Sequence, residues 1–173
     1  NDLIGTVEGI TGVVDNTSAR VFSEGTRAVE TEREARVRRF TGGEVDSPSR
    51  NLARYVKVMG DRYIPNLDVM MIYRLDRFGR GGHHRPFNDE GFAGVRIMET
   101  NENYTRQHLD LRIEYGIEYG DVIGGVDFAY AAKLTALNVT VLASIASAPP
   151  APAGVRIAGA VSPSTTLSWN PVD

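Results

Sequence analysis

Residues 67–73, LDVMMIY, are almost continuously apolar. A strand of this composition needs cover on both faces, which is the situation inside a layered sheet. Just upstream, Ser47-Pro48-Ser49 reads as a helix entry, with Ser47 as the N-cap and Pro48 in the first turn. Leu52, Tyr55, Val56 and Met59 then follow at helical spacing, and Gly60 is the expected C-terminal stop. A helix feeding a buried strand is the signature of an α/β architecture.

A second strand is expected around residues 19–22, and a third in the apolar run 93–98. The longest helical pattern opens at Asp121 and stops near Ser147, ahead of Pro149 and Pro150. Residues 27–39 mix acids and arginines densely, as a solvated segment with local ion pairs does. The echo IEYGIEYG at 113–120 is too short for an architectural repeat. These elements divide the chain into a main domain at 1–147, a stiff Pro/Ala linker at 148–153, and a remnant at 154–173. The remnant holds two short alternating runs, the second with Trp169, which read as the first strands of a β-sandwich.

The 173 residues carry a formal charge of -3, so composition gives no push towards nucleic acid or an anionic membrane. No cysteine is present, which removes disulfides, thiolate nucleophiles and thiolate–zinc sites together. No apolar run approaches the ~20 residues of a membrane span. The chain opens on Asn1 with no initiator Met and is read as a piece of a longer protein.

The chemistry concentrates in residues 81–110, which hold all three histidines: His83, His84 and His108. Two histidine-bearing loops frame one strand, an arrangement suited to a metal or acid–base site at a sheet edge. The spacing matches no local zinc motif, so any metal site must draw on distant segments. Asp2, in NDLIG, is a natural hard-oxygen partner, with a solvated acid at a chain end as the alternative. Arg74, Asp76, Arg77 and Arg80 follow the apolar strand, where α/β folds place ligands. They read equally as substrate contacts or as an internal ion-pair cluster. Neither a Gly-x-Ser-x-Gly elbow nor a phosphate-binding glycine loop is present.

The runs FGRGGHHRPFNDEGFAGVRIMETNENYTRQH and YGDVIGGVDFAYAAKLTALNVTVLASIA resemble the C-terminal half of the di-zinc aminopeptidases, metallopeptidase family M twenty-eight. RVFSEG and DSPSRNLARYV resemble bacterial members, and GVRIAGAVSPSTTLSWNPV resembles the start of a fibronectin type III module. The resemblance implies a three-layer α/β/α sandwich with a mixed sheet, present here as a partial domain. It implies two zinc ions in the complete parent, peptide or protein substrates cleaved at the N-terminal residue, and a secreted or periplasmic location. Residue by residue, Asp2 and His108 resemble metal ligands on different zincs. His84 and Phe87 match a His-x-x-Phe stretch near the substrate pocket, and Tyr104 is a third candidate for its wall. His83 departs from the aspartate common at its position. The remaining ligands and the general base would lie upstream of Asn1, so no catalytic base is expected in this chain and the isolated piece is expected to be inactive. The competing reading is a non-catalytic binding or structural module on the same fold; a carboxypeptidase or glutaminyl cyclase is a third.

Overall fold

The computed structural model describes residues 1, 3–42, 46–159 and 161–171. Among these residues it is a mixed α/β chain with several small sheets and four α-helices. Two compact units are distinguished, Asn1–Val141 and Leu142–Asp173.

The first unit is built on a three-stranded sheet. Strand β1 (Ser18–Phe22) lies in the middle, parallel to β2 (Asp68–Ile72) and antiparallel to β3 (Arg96–Glu99). β1 and β2 are joined through α1 (Glu32–Thr41) and α2 (Pro48–Tyr63). The register puts Ala19, Val21, Val69 and Ile97 on one face. There they meet Ala53, Val56 and Met59 of α2, and Tyr130, Leu134, Leu137 and Val141 of α4 (Phe128–Ala146). Each fully buried Leu or Val adds roughly 1.5–3 kcal/mol. On the other face, Phe22 and Met98 are fully buried with Arg96, while Arg20 on the same central strand is partly exposed. Loop residues after β2 cover that face, with the Arg74 guanidinium 5.8 Å from the Phe22 ring centre and Arg96 paired to Asp76.

Helix α2 begins as its sequence dictates, with the Ser47 hydroxyl accepting from the Arg50 amide at 3.0 Å. It does not stop at Gly60 but runs on to Tyr63. Gly60 is there because the helix touches the sheet: a Cβ at this position would lie 2.6 Å from Val69 Cγ2. β2 borders the sheet among the described residues, and only Val69 within it is fully buried, so its cover is less complete than its apolar composition suggests.

Residues 27–39 are solvated and carry local ion pairs as expected, and much of the segment is the helix α1, which the charge pattern does not announce. Thr31 and Glu34 form a capping box, and Arg38 is paired with Glu30 at 2.7 Å. None of its residues is buried, so capping and ion pairs support it in place of core packing. Helix α4 starts seven residues later than Asp121, because Asp127 supplies the cap: the Tyr130 amide donates to its carboxylate at 2.9 Å. Nineteen residues long, α4 has the length and apolar composition of a membrane span, contrary to the reading that no such run exists. Its inner face is nonetheless committed to the sheet, and the Tyr130 hydroxyl donates to the Ser18 carbonyl at 2.7 Å.

Residues 112–119 form a hairpin of β4 (Arg112–Glu114) and β5 (Ile117–Tyr119). In the second unit, β6 (Arg156–Ala158) pairs antiparallel with β7 (Thr166–Ser168), where two short strands were expected.

Candidate functional site

His108 is delivered by the loop that leaves β3. Asn103 caps a single 3-10 turn, Tyr104–Arg106, by accepting from the Thr105 amide at 3.1 Å and its hydroxyl at 2.7 Å. The chain then turns sharply at His108, whose φ of 48° lies in the left-handed region, leaving the imidazole exposed. His108 lines a hollow of about 400 Å³ together with Leu3, Ile4, Gly5, Thr6, Glu99 and Asp121. The segment flanking Asp2 and the loop bearing His108 therefore meet, although a hundred residues separate them. Asp2 itself lies outside the described residues.

Hydrogen bonds to β3 and to the start of α4 hold that N-terminal segment. The Glu99 amide donates to the Leu3 carbonyl at 2.8 Å, the Thr6 amide donates to the Glu99 carboxylate at 2.8 Å, and the Asp127 amide donates to the Gly5 carbonyl at 2.8 Å. Glu99 is 2% exposed. Burial pushes its carboxyl up to about 7, only partly offset by the Thr6 amide. The residue was absent from the expected site. Its signal was available in the sequence: Glu99 is an acid that closes an apolar run.

A second, open hollow of about 500 Å³ is lined by His83, Arg85, Asp89 and again His108. His84 points elsewhere. It is buried, its Nε2 donates to the Leu75 carbonyl at 2.8 Å, and its Nδ1 has no hydrogen-bond partner among the described residues. Burial holds this imidazole below its usual range, despite the Leu75 bond and the nearby Asp76 carboxylate. Gly82 lets the backbone pass it, since a Cβ there would sit 3.0 Å from His84 Nδ1.

The aromatic candidates do not converge. Phe87 is exposed, and Tyr104 lines a separate cleft with arginines. In the loop after β2, Asp76 and Arg77 belong to an internal ion-pair cluster. Arg96 donates to both Asp76 oxygens at 3.0 and 2.8 Å, and Arg77 pairs with Glu102, which also accepts from Arg20 at 2.7 Å. Burial raises the Asp76 and Glu102 carboxyls, but these donors outweigh it and leave both lowered.

Among the described residues, no three His, Asp or Glu side chains converge as a metal cage. His108 is a suitable single donor: an exposed imidazole at the mouth of a hollow with hard-oxygen groups nearby. A complete centre would need ligands from elsewhere.

The chain is 41% identical over 169 residues to a probable zinc metalloprotease of Leptosphaeria maculans, covering 97% of this chain and 39% of that protein. It is 37% identical over 169 residues to one of Pyrenophora tritici-repentis, covering 98% and 38%. A third, from Pyricularia oryzae, is 38% identical over 173 residues, covering 98% and 34%. The chain thus spans less than two fifths of the length of these relatives. No family model matches the chain, and no solved structure matches it.

Proposed function

We propose that this chain is part of a zinc-dependent peptidase, and more narrowly the C-terminal part of the catalytic domain of a di-zinc aminopeptidase of family M twenty-eight. The observation that carries this reading is the similarity along nearly the whole chain to probable zinc metalloproteases. The meeting of the His108 loop with the segment next to Asp2 supports it independently, because those are the two residues the resemblance marks as ligands. In this reading the domain is a three-layer α/β/α sandwich in the complete protein. The tail after the linker begins a fibronectin type III module, and the protein acts outside the cytoplasm.

His108 and Asp2 would each hold one of two zinc ions, and bound zinc supplies a water whose pKa falls towards ~7. This chain's own residues then do three things. The imidazole of His108 is offered to solvent by the turn that carries it. Glu99 and Asp127 fix the backbone of residues 3–6. Glu99 also keeps a proton exchangeable near neutral pH within the same hollow. The proton acceptor for attack on the peptide would lie outside the chain, so the isolated 173 residues are inactive in this account.

The test is substrate profiling of the full-length protein with zinc present. Peptides with a free N-terminal amine should be cleaved from that end, and N-acetylated versions should be spared. Equal cleavage of both would exclude an aminopeptidase while keeping a zinc peptidase. No cleavage of any peptide would favour a non-catalytic module.

A further inference from the structure

The arginines that follow β2 do more than complete an ion-pair cluster. A cleft of about 280 Å³ is lined by Arg20, Arg74, Arg77, Arg80, Glu102 and the rings of Phe78 and Tyr104. Four guanidinium groups face one carboxylate, in a chain whose overall formal charge is -3. Glu102 is already shared between Arg20 and Arg77. Arg74 donates its Nε to the Asp76 carbonyl at 2.7 Å and stacks 3.8 Å from the Phe78 ring centre. No carboxylate is paired with it among the described residues. Arg80 is exposed, with no side-chain partner among the described residues. Phe78 and Tyr104 are 84% and 55% exposed, so the rim is aromatic and open.

We propose that this cleft is a subsite for a carboxylate-bearing segment of a peptide, held by Arg74 and Arg80 against Phe78 and Tyr104. Guanidinium forks match planar carboxylates, and within this cleft Glu102 already meets one guanidinium on each oxygen, Arg20 on one and Arg77 on the other. Stacking on Phe78 holds the Arg74 plane in place, so less freedom is lost when an anion binds. The volume lies just below the ~300–1,000 Å³ typical of small-molecule sites, which suits one acidic side chain or terminal carboxylate better than stacked nucleotides. The peptide nature of the ligand rests on the peptidase reading; the anionic subsite does not.

The experiment is equilibrium binding to the full-length protein, by fluorescence anisotropy at low salt. The probes are a labelled, N-acetylated tetra-glutamate amide and its tetra-glutamine counterpart, with mass spectrometry confirming that both stay intact. The expected result is at least tenfold tighter binding of the glutamate peptide. That preference should be lost in Arg74→Gln/Arg80→Gln and in Arg80→Gln alone, an exposed change that spares folding. It should also shrink as salt is raised. Equal binding of the two peptides, or an unchanged preference in Arg80→Gln, would overturn the subsite. Inorganic phosphate or a single-stranded oligonucleotide binding with the same arginine dependence, in the absence of glutamate-peptide binding, would overturn the peptide assignment. A protein that shows the preference yet cleaves nothing would retain the subsite and lose the peptidase reading. One that cleaves peptides without the preference would do the reverse.

Discussion

The Glu99 carboxylate accepts a hydrogen bond from the Thr6 amide at 2.8 Å, joining residues 93 positions apart. Glu99 closes β3, and Thr6 ends the segment that runs beside His108. One buried carboxyl thus connects the sheet to the candidate site.

Its titration has a definite sign. Glu99 is raised to about 7 in the fold, against ~4.3 in an unfolded chain. Between those values the native state holds a proton that the unfolded chain has released, so stability falls as pH rises through the window and levels off above it. The integrated effect is of order 3 kcal/mol. His84, held below its usual range, acts in the opposite sense below ~6.5, so the informative comparison is with a variant. Urea unfolding at pH 5 and pH 8 should show wild-type stability falling more than that of Glu99→Gln. Parallel pH profiles would contradict this account of Glu99.

Gly60→Ala should destabilise the fold even though alanine favours helices by ~1 kcal/mol. The added methyl meets Val69 Cγ2 at 2.6 Å and Leu137 Cδ1 at 3.3 Å, where α2, β2 and α4 come together. The expected cost is about 1–3 kcal/mol in chemical denaturation. A stabilised variant would mean that α2 sits further from the sheet.

Breaking the Asp76–Arg96 pair should be among the most damaging single changes. The two side chains are 3% and 1% exposed, so Asp76→Asn removes the negative charge that two Arg96 hydrogen bonds meet inside the protein. Loss of one partner of such a pair costs about 3–5 kcal/mol. Because the native Asp76 carboxyl is lowered, its stabilisation is present above ~4 and disappears as pH falls through the native value. A change below ~1 kcal/mol in Asp76→Asn would show that the guanidinium finds other partners.

Much of the scaffold was legible locally. Ser47 and Pro48 set the start of α2, and the apolar pattern located β1 and β2. Gly60 was misread because its reason is three-dimensional: nothing near it in sequence announces the approach of Val69. Helix α1 was missed because charge density masked the Thr31–Glu34 capping box, a local signal that needs no core. In the hairpin, Tyr115 and Gly116 both take positive φ, 52° and 78°. A tyrosine at the first position hides a turn that Asn-Gly would have announced. β3 is shorter than its apolar run because β1 offers it partners only from Ala19 to Phe22. At the candidate site, the residue types were readable but their grouping was not. His83 and His84 are neighbours in sequence, yet one faces an open hollow and the other is buried against Leu75.

In the proposed peptidase, His108 holds one of the zinc ions. The direct measurement is zinc content and peptide hydrolysis in full-length wild type and His108→Ala, with circular dichroism to confirm folding. The account predicts loss of about one zinc per protein and at least a hundredfold loss of hydrolysis, on the order of 3 kcal/mol in barrier. A folded His108→Ala protein with full zinc content and undiminished hydrolysis would contradict it.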